Sequence, residues 1–222
     1  MLIPKTERDL SPLRLEVARA NWALPAAGLV TMHSGNASGY DAESDTLFIK
    51  PSGMDYDKIT PENLVRVRVS TGEILSESVR PSVDLPHHLF LYQNISGLRG
   101  VIHTHSNYAT AFAAVNRPVP LVLTAIADEF GAEIPCAPYV DNEGQHIGEA
   151  ILKHRNRSPA ILMGNHGVFA WGDSPKSALK AAIMVEDVAK TVWLALQIGS
   201  PQPIPAEEAE KWYDRYHNRY GQ

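Results

Sequence analysis

The sequence predicts a single α/β domain built around a largely antiparallel sheet. Two observations carry this prediction. Segments with apolar residues at helical spacing alternate with short strand-like runs, and several of those runs are joined by tight turns that favour hairpins. The 222 residues contain neither an internal repeat nor a clear domain boundary. We therefore expect one domain over residues 1–222.

Composition narrows the class of protein. The chain is 44% hydrophobic and 20% charged, as in ordinary globular proteins, and its formal net charge of −5 argues against a nucleic-acid partner. One cysteine, Cys136, excludes an internal disulfide and fits a reducing compartment. Residues 1–10 lack an apolar signal-peptide core, and no apolar run is long enough to span a bilayer. We expect a cytoplasmic protein without a membrane partner.

The N-terminal half is predicted to begin with a helix. It starts at Ser11–Pro12, carries apolar residues at helical spacing, and ends by Pro25 and Gly28. A short strand is expected at residues 29–31, followed by a polar, glycine-bearing loop at 34–39. The remaining expected elements are strands at 46–50, 64–69 and 73–75, turns at 51–53 and 71–72, and a helical turn from Thr60.

The C-terminal half alternates helices and strands. Its longest helix is expected from Ser174–Pro175 to Gly199, because a cap, a proline and a wide apolar face are followed by a glycine stop. The other expected elements are helices after 81–84, over 107–115, around 149–154 and after a linker at 201–205, and strands within 100–106, at 119–123, 160–163 and 168–171.

The stretch from Gly100 to Ser106 carries His103 and His105 after an apolar run. In a strand, side chains two positions apart point to the same face, so these imidazoles would lie about 7 Å apart at Cα. Two imidazoles so placed can share a metal ion. Taken alone, the pair fits a hydrogen-bonded core pair equally well.

A third histidine favours the metal interpretation. Catalytic zinc sites use three protein ligands and keep one position open. His166 lies between Asn165 and Gly167 at the end of an apolar strand, where a turn can direct it back toward the sheet. Three imidazoles, with or without a carboxylate, could hold zinc, manganese or cobalt.

Two acids are candidates for the same site. Asp84 precedes a predicted helix, and its local sequence favours a helix cap. Asp128 follows Ala127 and lies two residues before Phe130. It fits a partly buried acid–base group and an exposed turn acid equally well.

Three loops and the C-terminus complete the candidate features. The loops at 35–38, 50–53 and 81–82 carry small residues, hydroxyls, an amide and Lys50, and could offer donors to a phosphate, although such turns are usually only turns. Trp212, Tyr216 and Tyr220 are spaced by four on a predicted helix. This stripe could dock the tail on the core, or Tyr220 could reach a neighbouring subunit.

Together these motifs resemble the class II aldolase/epimerase family. The resemblance runs from about Leu15 to the end of the chain, and it depends on the order of the motifs rather than on any one of them. The matching segments are Gly35–Ser38, Pro51–Gly53, Pro81–Asp84, His103–Ser106, His166–Gly172 and Tyr220–Gln222.

The resemblance implies a three-layer α/β/α fold and a homotetramer with active sites between adjacent subunits. It also assigns roles to individual residues. His103, His105 and His166 would bind zinc with Asp84 at or beside it, Asp128 and Tyr220 would transfer protons, and the substrate pocket would contain Gly35, Asn36, Lys50, Ser52, Gly53 and Ser82.

The implied activity is a metal-dependent epimerisation of a sugar phosphate, L-ribulose 5-phosphate to D-xylulose 5-phosphate, by retro-aldol and aldol steps. Aspartate at position 84 favours an epimerase over an aldolase, because aldolases of the family usually carry glutamate there. Valine at position 83, where the family's epimerases have a second serine, removes a phosphate donor. A related ketose aldolase and a non-catalytic interaction scaffold, like the adducin head domain, remain as alternatives.

Overall fold

A computed structural model describes residues 11–76 and 79–219. Its helices are α1 (Pro12–Ala26), α2 (Leu85–Asn94), α3 (Asn107–Ala114), α4 (Thr124–Phe130), α5 (His146–His154), α6 (Pro175–Ile198) and α7 (Ala206–Arg219). Its strands are β1 (Asn36–Asp41), β2 (Thr46–Ile49), β3 (Val65–Arg68), β4 (Gly100–Thr104), β5 (Cys136–Ala137), β6 (Ala160–Met163) and β7 (Gly167–Gly172). Short 3₁₀ turns cover Tyr56–Lys58 and Pro61–Asn63.

The seven strands form one sheet in the order β3-β2-β1-β4-β7-β6-β5. All neighbouring pairs are antiparallel except β5 and β6, which run parallel. The prediction of a largely antiparallel sheet is therefore confirmed, and the sheet is a mixed one. β4 lies at its centre, between β1 and β7, and every residue of β4 is buried.

Helices cover both faces of this sheet. Ile102 of β4 packs on one face with residues of α1, α3, α4 and α6, whereas Val101 packs on the other with residues of α2 and α5. This alternation of apolar side chains produces two cores separated by the sheet. The resulting layers are helices, sheet and helices. None of the helices in 11–76 and 79–219 has both the length and the apolar character needed to cross a bilayer.

Local sequence explains the principal elements. α6 begins with a capping box. The hydroxyl of Ser174 accepts from the backbone N–H of Ser177, and the hydroxyl of Ser177 accepts from the backbone N–H of Ser174. Its buried stripe of alanine and valine packs against β4 and β7. The longest helix, which its apolar pattern predicted, thereby packs on the central strand.

Some predicted elements were wrong. Residues 29–31 form no strand, and the expected loop at 34–39 is instead largely strand β1. Residues 119–123 contribute only a single bridge, between Val119 and Ile134. Pro25 lies inside α1 rather than ending it, and the two-residue strand β5 was not predicted.

The error at β1 has a physical cause. A Cβ on Gly39 would lie 2.6 Å from Val17 of α1, so this strand uses small residues to let the helix approach. Polar side chains of this strand make buried hydrogen bonds, as Ser38 does with His88 and Tyr92. The apolar alternation that marks other strands is therefore absent from β1.

Candidate active site and metal centre

One cavity of about 170 Å³ brings together most of the candidate residues. It lies where the C-terminal end of β4 meets the start of β1, the β6–β7 turn and the segment before α2. Ten of the twelve predicted site residues line it: Gly35, Asn36, Lys50, Ser52, Gly53, Ser82, Asp84, His103, His105 and His166.

The three histidines converge because β4 pairs with β7. His103 is on β4, His105 follows the strand directly, and His166 is in the turn that leads into β7. One ring nitrogen from each lies within 4.8 Å of the other two. The turn depends on two backbone features. Asn165 has a positive φ of 58°, and a Cβ on Gly167 would lie 2.6 Å from the ring of His105.

The protonation states of these imidazoles suit a metal. The Nδ1–H of His103 donates to the carbonyl oxygen of Val168 at 2.9 Å, which leaves Nε2 as the unprotonated nitrogen. Nε2 of His105 is buried without a hydrogen-bond partner among the described residues. Burial lowers the pKa of all three rings. For His103, burial and repulsion by His105 and His166, partly offset by Asp84, bring the pKa to about 3. The residues present therefore fit a divalent cation.

Asp84 lies next to this histidine cluster. It occupies the N-cap position of α2, but its carboxylate makes no capping hydrogen bond. The carboxylate instead accepts from Nδ2 of Asn36 at 2.6 Å and from the hydroxyl of Ser82 at 3.4 Å. Burial opposes its charge, yet His103, His88 and Asn36 together hold the pKa of Asp84 below its ordinary value. The buried carboxylate thus accepts from Asn36 and Ser82 beside the histidine cluster and does not cap the helix.

The other end of the cavity is built from the three small-residue loops. The backbone N–H of Ser82 donates to the carbonyl of Lys50 at 2.9 Å, and Nδ2 of Asn36 donates to the hydroxyl of Ser82 at 2.9 Å. Nζ of Lys50 lies 4.9 Å from the ring centroid of Tyr56. Burial lowers the pKa of Lys50, while Asp55 and Asp84 oppose that shift. Loops that are far apart in the chain thus face one small space with hydroxyl, amide and ammonium donors.

Four lining residues were not predicted: His33, Ser34, Val83 and Asn142. Nδ1 of His33 is 3.0 Å from the carboxylate of Asp55. Asn142 comes from the loop between β5 and α5, which has no motif. Only Ser34 and Val83 adjoin predicted segments, so sequence could have found those two and not the others.

Two predicted site residues are not in this cavity. Asp128 is half-buried on α4 and does not line the cavity of the single chain. Tyr220 lies outside the described residues. The helix that leads to it, α7, packs directly against α4. α4, which carries Asp128, and α7 therefore pack against each other, and neither helix contributes to the cavity lining.

This fold and this histidine site define a class of protein. A family model described as the class II aldolase and adducin N-terminal domain matches residues 15–193. The chain belongs to this family, as its motifs predicted. Enzymes of the class II aldolase type are metal-dependent, and the His103, His105 and His166 cluster could hold the metal ion.

Individual relatives refine the comparison. The chain is 36% identical over 228 aligned positions to the L-ribulose-5-phosphate 4-epimerase UlaF of Salmonella paratyphi C (strain RKS4594), covering 96% of this chain and all of that protein. Among solved structures it is similar to an L-fuculose 1-phosphate aldolase, with a TM-score of 0.83 and 27% identity over 93% of this chain and 96% of that one. An L-fuculose 1-phosphate aldolase from Glaciozyma antarctica PI12 shares the fold, with a TM-score of 0.77 and 20% identity over 97% and 85% of the two chains.

Proposed function

We propose that this chain is a metal-dependent epimerase that interconverts L-ribulose 5-phosphate and D-xylulose 5-phosphate. One observation carries the proposal: a single cavity joins three neutral, convergent histidines to a set of phosphate-type donors. The 36% identity to the Salmonella 4-epimerase along the whole chain supports the choice of substrate. The single cysteine fits a cytoplasmic enzyme, and we take residues 1–222 as one domain.

His103, His105 and His166 are the proposed ligands of the metal, which we take to be zinc. Manganese or cobalt would suit the same ligands. A divalent ion held there would act as a Lewis acid toward the ketose carbonyl. Asp84 adds negative charge beside the cluster and fixes Asn36 through a 2.6 Å hydrogen bond.

The phosphate is assigned to the loop end of the cavity. Lys50 supplies positive charge, and Ser52 and Ser82 supply hydroxyl donors there. Gly35 and Gly53 both have positive φ and line the same wall, where they let the backbone approach the substrate closely. With the phosphate at this end, the rest of the ketose extends across the histidines.

Epimerisation at C4 requires proton transfer on two faces of the cleaved aldehyde. One group must take the C4 hydroxyl proton, and a second must return a proton after the aldehyde has rotated. Asp128 and Tyr220 are the proposed pair. Because α4 and α7 pack together away from the cavity lining, we propose that a neighbouring subunit of a homotetramer supplies both.

An aldolase is the second candidate, favoured by the 27% identity to the L-fuculose 1-phosphate aldolase of known structure. The two activities give different products from L-ribulose 5-phosphate. The metal-reconstituted protein should form D-xylulose 5-phosphate, whereas release of a two-carbon aldehyde would replace the epimerase by an aldolase. His103→Ala should lose bound metal and activity together. A wild-type protein that binds no divalent ion would favour the interaction scaffold instead.

Shared active sites can be tested by mixing inactive variants. Suppose that each site combines the histidines of one subunit with Asp128 and Tyr220 of the next. Equal amounts of the His103→Ala and Tyr220→Phe variants, co-assembled at random, should then recover about a quarter of wild-type activity. Half of the sites contain an intact His103, half contain an intact Tyr220, and about a quarter contain both. His103→Ala mixed with Asp128→Asn should recover as much. Tyr220→Phe mixed with Asp128→Asn should recover none. Recovery in the last mixture would place the two groups on different subunits.

A further inference from the structure

Asn142 brings a side-chain amide into the cavity from a segment that carries no motif. It lies in the loop between β5 and α5, yet it lines the same cavity as His105 and His166. The three phosphate-type loops come from elsewhere in the chain, before β1, after β2 and before α2. The β5–α5 loop therefore forms a separate part of the cavity wall.

His87 holds this amide in place. Nε2 of His87 is hydrogen-bonded to Oδ1 of Asn142. Because a carbonyl oxygen only accepts, Nε2 is the protonated nitrogen and donates. His87 is almost fully buried on α2, three residues after Asp84, and its ring meets Phe169 edge-on. A buried ring on a helix next to the site thus fixes an otherwise exposed loop residue.

The geometry leaves one group of Asn142 available. Its Nδ2 has no hydrogen-bond partner among residues 11–76 and 79–219. Phe169, which the ring of His87 contacts, stacks on the ring of His103 with 4.3 Å between the centroids. Through His87, Asn142 is therefore anchored on the histidine side of the cavity.

We propose that Asn142 is a specificity-determining residue whose Nδ2 donates to the terminal C1 hydroxyl of the ketose, and that His87 is its positioning residue. The inference rests on the proposed function, which puts the phosphate at the loop end and C1 at the opposite end. An amide donor held in a fixed direction discriminates for a hydroxyl, because a substrate without that hydroxyl leaves the donor unpaired.

The test compares L-ribulose 5-phosphate with its 1-deoxy analogue. Wild type should prefer the parent by about tenfold in kcat/KM, the usual size for one neutral hydrogen bond. Asn142→Ala should lose this preference, because it should raise KM for the parent and leave KM for the analogue unchanged. Glu143→Ala, which removes an exposed side chain from the same loop, is the matched control and should keep the preference. If Asn142→Ala lowers kcat/KM equally for both substrates, or lowers it for neither, the proposal is overturned.

His87 is tested by rescue. His87→Gln places an amide N–H near the position of Nε2 and should retain the preference, whereas His87→Leu should behave like Asn142→Ala at unchanged metal content. If the glutamine and leucine variants discriminate equally well, His87 has no positioning role. Should the leucine variant fail to fold, loss of the preference in the glutamine variant would still overturn the positioning role.

Calorimetric binding of both compounds to metal-loaded wild type and Asn142→Ala separates this inference from the proposed function. Discrimination in binding without turnover would remove the epimerase proposal and keep the contact. Turnover of both compounds without discrimination between them would keep the epimerase proposal and remove the Asn142 contact. If neither compound is bound or turned over, both proposals fail.

Discussion

The buried imidazole of His88, on the helix next to the cavity, is kept neutral by its surroundings. His88 is fully buried on α2, and its Nδ1 lies 2.6 Å from the hydroxyl of Ser38. Burial lowers the pKa of His88 to about 4, although the charge of Asp84 opposes that shift. A histidine that resists protonation in the folded chain, but not in the unfolded one, makes stability depend on pH.

We predict that His88 makes the metal-free protein less stable as the pH falls from about 6.5 to about 4. In that window the unfolded chain binds a proton at His88 and the folded chain does not, so the free energy of unfolding decreases on acidification. Above pH 6.5 both states are neutral and the effect vanishes. The full loss from this group is on the order of 3 kcal/mol.

Urea unfolding at pH 7, 6 and 5 measures this dependence. His88→Asn keeps a polar atom near the position of Nδ1 and does not titrate, so its free energy of unfolding should fall less steeply with pH than that of wild type. The comparison uses slopes, because the fixed cost of the substitution is the same at each pH. Parallel slopes for the two proteins would show that His88 is not the group responsible.

At the scale of elements, the site depends on how closely β1 approaches β4. Asn36 is in register with His103 across this strand pair, so the residue that holds Asp84 lies directly beside a metal-cluster histidine. Gly35 precedes β1 with a φ of +76°, and a Cβ there would lie 2.8 Å from the carbonyl oxygen of His103. Two backbones therefore touch where the site begins.

Two glycine substitutions separate backbone conformation from close approach. Gly53 also has a positive φ, +65°, but nothing lies within 4 Å of a Cβ built there. Gly53→Ala should cost about 1 kcal/mol of stability, for the left-handed conformation alone. Gly35→Ala should cost about 3 kcal/mol or more, since it adds a clash with Val30 and His103. Urea unfolding measures both, and equal losses would contradict the close approach.

The same contrast explains which elements sequence could predict. α6 and β6 could be predicted from apolar patterns and a capping box, because the side chains they bury are apolar and the cap lies within the local sequence. β1 could not, because its residues were selected for small size and for buried hydrogen bonds to distant helices. β5 is only two residues long and owes its place to pairing with β6.

At the scale of the whole molecule, the site is assembled from segments that meet only in the folded chain. The histidine cluster was predictable because each of its members lies on, or soon after, a strand that the sequence identifies. The cavity wall formed by Asn142 was not, since it depends on where the β5–α5 loop lies relative to α2. Tyr220 stays a prediction, because its position is outside the described residues.

A cation bound by the histidine cluster would link β4 to the β6–β7 turn, so it should stabilise the folded chain as a whole. An ion that binds only the native state at a hundredfold excess over its Kd adds about 2.7 kcal/mol to the free energy of unfolding. For a chain of this size, that corresponds to roughly 5–10 °C in Tm. Removing the metal with a chelator should lower Tm by this amount, and adding zinc should restore it.

Two histidine variants test whether the histidine cluster is responsible for the stabilisation by zinc. His105→Ala removes a ring whose Nε2 is otherwise unpartnered in the described part of the chain, so its Tm should no longer respond to zinc. His154→Ala alters a half-buried histidine of α5 outside the cavity and should keep the full response. A zinc response that survives His105→Ala unchanged would move the ion elsewhere. Differential scanning calorimetry also requires no substrate, so this result holds whichever ketose the enzyme turns over.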